Sequence, residues 1–251
     1  MPLIRPETRF RRVTQEMQAR RPRLSEATAA DSAGRAWQQA PARCDEPVQD
    51  MADLSWLPGP IEDALARRRS VRVFAPDAVS SSLVKAIVTA AYDAEAATWP
   101  PRWHGAATLA ILVAAYRVDG MARGLYAPSI EPGRQPLGAD DAWLQALPAM
   151  YADAPALLLI CADLNGACRE AGAAGYPATL VRAGTLGYAA WLWALSSGLA
   201  GSVYAGPSPG VTGAARQLDA NLRHLFTVAV GVPADQVTWP SDGTTVDRGE
   251  R

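Results

Sequence analysis

ATLVRAGTLGYAAWLWALSSGLA, residues 178–200, is the stretch that decides the fold of this chain. After Arg182 it runs for eighteen residues without a charged side chain and is apolar on every face of a helix. Such a helix must be surrounded by protein or lipid. Its length is near the roughly 18 residues at which a membrane span becomes the alternative. Its glycines and serines, and the lack of a flanking basic cluster, favour a core or subunit-interface helix.

Strand-like runs flank this stretch on both sides: PALLLICAD at Pro155–Asp163 and GSVYA at Gly201–Ala205. Strands alternating with helices, some of them apolar throughout, predict an α+β or α/β domain with a sheet covered on both faces. The other predicted helices are Ile61–Arg69, Ser80–Asp93 with a serine N-cap, Ala142–Tyr151 and one near Val211–Leu218, and the other predicted strands lie within Ala106–Val118, Gly124–Tyr126 and Leu225–Val232.

Composition indicates a globular protein with no general attraction to polyanions. Of the 251 residues 49% are hydrophobic and 20% are charged, and the formal net charge is −1. This balance gives no pull toward nucleic acid or an anionic membrane. The cysteines and histidines show neither a disulfide framework nor a metal-binding spacing, so we expect a cytoplasmic location and no metal. These residues are Cys44, Cys161, Cys168, His104 and His224.

The first fifty residues differ from the rest and are predicted to be an N-terminal arm. Seven arginines fall within the first 23 residues, followed by a small, polar and proline-interrupted stretch. This composition is typical of a solvated or partly ordered extension. Docking to a partner protein, or embracing a second subunit, is the alternative, and nucleic-acid binding is disfavoured because no recognised fold motif is present. We therefore predict an arm at 1–50 and one folded domain at 51–251.

A cationic cluster follows the first helix of that domain. Arg68, Arg69 and Arg72 place three guanidinium groups within five residues, together with the hydroxyl of Ser70. Arginine forks match phosphate oxygens in two-point contacts, and a serine hydroxyl adds a further donor. A small phosphorylated cofactor would satisfy this cluster. The alternative is a solvated basic helix end that is favoured by the helix dipole.

The run Arg68-Arg69-Ser70-x-Arg72-x-Phe74 resembles the opening motif of the nitroreductase family, whose members are flavin-dependent oxidoreductases. More narrowly, the chain looks like the SagB-type branch, the azoline dehydrogenases of ribosomal peptide modification. The resemblance covers roughly residues 54–233 and depends on the order of the pieces. The other segments that carry it are Ala114–Tyr126, Pro155–Asp163, Gly175–Gly184 and Leu195–Gly206.

The resemblance implies a nitroreductase-like α+β fold, with a central mixed sheet covered by helices and the long apolar helix at a homodimer interface. It also implies FMN bound between the two subunits. Arg68, Arg69, Ser70 and Arg72 would hold the phosphate, joined by Arg248 from the C-terminal tail. The segment Val203–Gly206, which includes Tyr204, would pass the isoalloxazine, with the backbone N–H of Ala205 or Gly206 near the flavin N5. The flavin would carry the hydride while the protein supplies position and electrostatics.

Several positions depart from the family pattern. Where the SagB-type branch has a Lys-Tyr pair linked to azoline deprotonation, this chain has Glu170 and Ala171, and Pro177 replaces the arginine of the following motif. The family's Glu and Asn on the central helix correspond to Arg182 and Ala189, and the usual Ser/Asn-rich flavin contact is absent around residues 96–98. A general base must lie within hydrogen-bond reach of its proton, and the sequence nominates none. The catalytic residues therefore stay unknown.

Three functions are compatible with these observations. The first is an FMN-dependent dehydrogenase that oxidises an azoline or similar bond in a ribosomally made peptide. The second is a catalytically degenerate subunit that binds peptide within a hetero-complex of peptide-modifying enzymes. The third is a general NAD(P)H-dependent nitro or quinone reductase. Tryptophans near the cluster, such as Trp99, Trp103, Trp191 and Trp193, suit a peptide or an aromatic small molecule, although core packing explains tryptophans equally well.

Overall fold

The computed structural model describes residues 61–99, 108–127 and 142–234. The predicted arm, Trp103, His104 and Arg248 lie outside the described residues. The described helices are α1 (Ile61–Arg67), α2 (Ser81–Thr98), α3 (Ala142–Met150), α4 (Leu164–Ala171), α5 (Gly175–Ser196) and α6 (Pro209–Ala215), and the strands are β1 (Val79–Ser80), β2 (Leu109–Ala115), β3 (Val118–Asp119), β4 (Gly124–Tyr126), β5 (Ala156–Asp163), β6 (Ala200–Tyr204) and β7 (Leu222–Gly231).

The central sheet contains five strands in the order β4-β2-β5-β7-β6. All four of its pairings are antiparallel. Of the two alternatives from the sequence, helices around an antiparallel sheet fit α+β and exclude α/β. Among the described residues, one parallel bridge makes the sheet mixed, and it joins Ser70 to the edge strand at Gly201. A separate parallel pair joins β1 to β3.

Helices cover both faces of the sheet, as the sequence predicts. Side chains alternate between the faces of a strand, so neighbouring residues enter different cores. Leu158 and Val228 face the core formed with α2 and α5. Leu157 and Ala229 face the second core, which is formed with α3 and α6. Strand β5 is buried along its whole length, because it lies inside the sheet and is covered on both sides.

The longest described helix is α5, with 22 residues. It begins three residues before the quoted stretch, at Gly175, and ends before Gly198, which adopts a positive φ of 81°. It lies close to the sheet at Gly187, where an added Cβ would lie 2.5 Å from Phe226 Cε2. No described helix is long and apolar enough to cross a membrane.

One face of α5 is not covered by the rest of the described chain. Tyr176 and Val181 are 50% and 54% exposed, and Leu180 and Tyr188 are also exposed. Hydropathy alone cannot distinguish a side chain that faces its own core from one that faces outward. This face of the helix is therefore apolar and uncovered by the part of the chain that the structure describes.

Two helix starts coincide with capping side chains, whereas the apolar pattern misplaced or missed some helix boundaries. Ser80 caps α2 as expected, and its Oγ accepts a hydrogen bond of 3.2 Å from the Leu83 amide. That helix continues to Thr98, five residues beyond the predicted end at Asp93. The sequence reading missed α4, whose N-cap is Asp163, with Oδ1 accepting from Gly166 N at 2.7 Å.

Candidate functional site

The predicted cationic cluster lies beside β6, the strand that forms one edge of the sheet. After α1 the chain bridges to the edge strand at Ser70, and the Val71 amide donates to Gly201 O at 3.0 Å. Gly201 lets this strand lie close to α5, because a Cβ there would come within 2.7 Å of Trp191 Cδ1. The edge that would otherwise be unpaired thus carries the cluster.

Two of the arginines lie over aromatic rings. The Arg68 Cζ lies 5.3 Å from the ring centroid of Trp191, and the Arg72 Cζ lies 6.0 Å from that of Tyr204. Contacts of this kind attract a cation to the face of the ring but leave its charge unneutralised. Within the described part of the chain, no carboxylate forms an ion pair with either arginine. Neither guanidinium is thus neutralised by a described carboxylate.

The remaining members of the cluster have different surroundings. The Nη1 of Arg69 donates to the carbonyl oxygens of Arg68 at 3.0 Å and Ala66 at 3.4 Å, so this guanidinium turns back on the end of α1. Ser70 is exposed, like Arg72, whereas Val71 between them is buried. The structure thus brings Arg68, Ser70 and Arg72 to one edge, while Arg69 also bonds one carbonyl of α1 and that of Arg68.

The backbone that follows β6 offers free donors near the same edge. Antiparallel strands direct the backbone groups of alternate residues toward and away from the neighbouring strand. The Gly201 carbonyl points away from β7, since it accepts from Val71, and Ala205 has the same parity. Neither the Ala205 nor the Gly206 N–H donates to any group among the described residues. Both residues are exposed.

Two buried side chains bond the segment Ala205–Ser208, which we call the edge loop. The Tyr151 hydroxyl donates to the Gly206 carbonyl, and the Ser208 amide donates to His224 Nδ1 at 2.9 Å. Because Nδ1 accepts, the proton of the neutral ring is on Nε2, which donates to Phe226 O at 2.9 Å. Burial lowers the pKa of His224 to about 4 and raises that of Tyr151.

An apolar groove with a volume of about 640 Å³ is lined by α5, by β7 and by part of the edge loop. Its wall on α5 consists of side chains four residues apart, so they form one stripe along the helix. Its described lining includes no carboxylate. The lining residues are Leu164, Tyr176, Leu180, Gly184, Tyr188, Val203, Ala205, Pro207, Arg223, His224, Leu225 and Phe226.

The structure explains some of the positions at which this chain departs from the family pattern. Arg182 is buried in α5, and its Nε donates to Glu95 Oε1 on α2 at 2.7 Å. Ala189 is buried against the core. Glu170 and Ala171 are exposed at the end of α4.

Sequence reasoning missed Tyr151, Glu95 and the role of His224. The only signal for His224 was a polar residue within the apolar alternation of β7. Three further buried polar atoms have no hydrogen-bond partner among the described residues and lie on residues of β6 or α5 near the cluster: Trp191 Nε1, Ser202 Oγ and Tyr204 OH. Among the described residues no group of three His, Cys, Asp or Glu could hold a metal ion.

Comparison with known proteins identifies the protein family that this chain matches. The sequence model of the Nitroreductase family matches residues 65–232. No curated protein sequence matches this chain. A protein from Anabaena variabilis described as a nitroreductase has a similar fold, with a TM-score of 0.53 and 19% identity, and the match covers 69% of this chain. This chain spans only 38% of that one.

Two further solved structures have lower scores. One, from Desulfovibrio desulfuricans, is described as a nitroreductase in complex with FMN; it is 20% identical, with a TM-score of 0.45, and the match covers 75% of this chain and 93% of that one. The other is the NADPH:FMN oxidoreductase of Vibrio harveyi complexed with NAD+, 15% identical with a TM-score of 0.43, covering 75% of this chain and 74% of that one.

Proposed function

Because this chain belongs to the nitroreductase family, we propose that it is an FMN-dependent oxidoreductase. The observation that carries the proposal is the edge cluster itself. Arg68 and Arg72 lie over aromatic rings with no carboxylate partner among the described residues. Together with the Ser70 hydroxyl they are the proposed ligands of the FMN phosphate. Arg69 and Arg248 are proposed as additional phosphate contacts.

The donor set fits the two ends of FMN. Guanidinium groups and a hydroxyl complement a phosphate dianion, and charge-assisted hydrogen bonds of this kind are the strong ones. The free N–H groups of Ala205 and Gly206 suit the acceptor atoms of a flavin ring, with Tyr204 beside them. When bound, FMN would accept a hydride from a substrate C–H bond and would be reoxidised by dioxygen or another acceptor. The protein would bind and orient both molecules.

The exposed face of α5 supports a homodimer with FMN between the subunits. An apolar surface on α5 is formed by Tyr176, Leu180, Val181 and Tyr188. All of these except Val181 also line the groove. Large apolar patches on a soluble protein mark interaction sites. We propose that the same helix of a second copy packs here, since an isologous interface brings identical surfaces together.

The finer proposal concerns the substrate. We propose that the enzyme oxidises an azoline or a related bond in a ribosomally made peptide, in which the ring C–H gives a hydride to the flavin and a proton leaves to solvent or to a base. The likeness to the SagB-type branch in Gly175–Gly184 and Leu195–Gly206 supports this substrate class. A general NAD(P)H nitro or quinone reductase is the simpler alternative, because hydride transfer to such acceptors needs no base on this chain.

A second candidate function is supported by the missing base. The described lining of the groove has no carboxylate, and both ring nitrogens of His224 are already hydrogen-bonded. Glu170 and Ala171 stand where the branch has its Lys-Tyr pair. A subunit that binds peptide for a separate, intact dehydrogenase would need no base of its own.

The test begins with the visible spectrum of the purified full-length chain. We expect a yellow protein whose released chromophore is FMN, and a dimer by sedimentation equilibrium. Protein that is colourless and takes up no added FMN would contradict the proposal. Activity then separates the alternatives: turnover of NADPH with a nitroarene indicates the general reductase, and turnover of an azoline peptide only after a second dehydrogenase is added indicates the binding subunit.

A further inference from the structure

The edge loop is fixed at two points on either side of Pro207. The Tyr151 hydroxyl donates to the Gly206 carbonyl, and the Ser208 amide donates to His224 Nδ1 at 2.9 Å. The strand pairing of β6 with β7 ends before the loop, at Tyr204. Between that residue and Ser208, no backbone hydrogen bond to another backbone group is present among the described residues. These two side chains therefore hold the loop, together with the N-cap of α6, where Ser208 Oγ accepts from Val211 N at 3.4 Å.

His224 is held in one orientation and one tautomer. It is only 3% exposed, and its Nε2 lies 2.9 Å from Phe226 O and 3.1 Å from Thr227 Oγ1. Its own amide donates to Thr212 Oγ1 at 3.2 Å, which ties β7 to the first turns of α6. Because burial lowers its pKa to about 4, the ring is neutral at physiological pH and Nδ1 is available to accept.

Tyr151 is held equally well. It follows α3 directly, and its amide continues the helical pattern by donating to Leu147 O at 2.9 Å. Its ring centroid lies 5.7 Å from that of Tyr204 and 6.3 Å from that of His224. Burial raises the pKa of Tyr151, so its hydroxyl remains protonated and can donate. Three rings thus support the edge loop on the side that faces β7 and α3.

Both anchors leave the other side of the loop free. The carbonyl of Gly206 and the amide of Ser208 are engaged, whereas the amides of Ala205 and Gly206 have no partner among the residues that the structure describes. A donor that is already oriented costs less entropy to bind than one that must be ordered first. Within the described residues the anchors leave both N–H groups unoccupied, and strand parity directs that of Ala205 away from β7.

We propose that His224 and Tyr151 are positioning residues, which hold the edge loop so that the amide of Ala205 or Gly206 points at the flavin ring. This inference rests on the proposed function, because it assigns a purpose to the anchors of that same site. Neither residue touches the cofactor in this scheme. Their effect passes through Ser208 and Gly206.

The experiment compares two side chains that differ in where they accept. In His224→Asn the amide oxygen can replace Nδ1 and accept from Ser208, whereas in His224→Gln the amide lies nearer to Nε2 and the Ser208 bond is lost. The expected result is near-wild-type FMN affinity and flavin spectrum for Asn, and about fivefold weaker affinity with a shifted spectrum for Gln, as for the loss of one hydrogen bond. Tyr151→Phe should resemble His224→Gln.

A measurement on FMN-free protein keeps the role separate from the cofactor. Amide hydrogen exchange at Ser208 should be slow in the wild type and in His224→Asn, and faster in His224→Gln. Equal FMN affinity and equal spectra for the Asn and Gln variants would overturn the inference, and so would unchanged exchange at Ser208. If the wild type binds no FMN, the proposed function fails and this role with it, whereas the exchange data still report the hydrogen bond itself.

Discussion

Arg182 lies in surroundings opposite to those of Arg68 and Arg72, although all three are arginines. The Arg182 side chain is 5% exposed and is bonded at 2.7 Å to Glu95, whose side chain is 10% exposed. Arg68 and Arg72 lie at the sheet edge over aromatic rings, with no carboxylate partner among the described residues. One charge is neutralised inside the fold, whereas the other two have no neutralising carboxylate among the described residues.

This difference assigns separate purposes to the arginines. A buried ion pair must recover the cost of removing two charges from water, so each partner depends strongly on the other. A solvated cation bears no such cost, and removing it hardly affects the fold. The core arginine should therefore matter for stability and not directly for ligand binding, and the edge arginines should show the reverse.

The largest effect is expected when Arg68 and Arg72 are both replaced by Ala. Each hydrogen bond to a charged group contributes about 1.5–3 kcal/mol, so losing both should weaken FMN binding by at least about a hundredfold. Flavin retention on purification should be lost, while the thermal unfolding midpoint stays near that of the wild type. Flavin content per chain and calorimetry would measure this.

The matched control removes two exposed cations elsewhere, Lys85 and Arg216, by Lys85→Ala and Arg216→Ala. It changes the net charge equally, so an equal loss of FMN would point to general electrostatics instead of direct phosphate contacts. Unaltered flavin occupancy in the Arg68/Arg72 variant would show that the edge cluster has another purpose.

The next effect concerns the buried pair. Arg182→Met leaves the Glu95 carboxylate buried without this partner, and breaking such a pair costs about 3–5 kcal/mol of the free energy of unfolding. Urea denaturation of Arg182→Met, of Glu95→Leu and of the variant that carries both substitutions would form a double-mutant cycle. The double variant should lose clearly less than the sum of the single losses. Additive losses would mean that the two side chains are not coupled.

Much of the fold could be predicted from local patterns. The apolar run of β5 indicated a buried strand, and Ser80 indicated the start of α2, because both signals depend on neighbouring residues. The short α4 was missed since its start depends on the Asp163 cap more than on periodicity. The sequence left open whether α5 lies in the core or at a subunit interface, because an uncovered apolar face has the same hydropathy as a buried one.

The candidate site was predictable only where its residues are contiguous. Arg68 to Arg72 form a local motif, and the structure brings most of that motif to one edge. Glu95 and Arg182 are 87 positions apart, and the fold alone brings them together. The bond between Ser208 and His224 likewise spans a helix and a turn. Such pairs carry no sequence signal until the topology is known.

The smallest effect should come from an arginine that is paired but exposed. Arg169 lies 3.9 Å from Asp163 Oδ2, and its side chain is 66% exposed. Exposed pairs typically contribute only about 0–1 kcal/mol, so Arg169→Ala should change the free energy of unfolding by less than about 1 kcal/mol. Flavin content should not change. Urea denaturation beside Arg182→Met would make the comparison direct.

Asp163→Ala serves as the control, because it removes the N-cap of α4 as well as the ion pair and should cost about 1 kcal/mol more than Arg169→Ala. Arg169→Ala could instead destabilise the protein as much as Arg182→Met. Ion pairing alone would then explain the stabilising effect of Arg182, and burial would not distinguish Arg182 from Arg169. A small loss would leave burial as the property that separates a structural arginine from one held for a ligand.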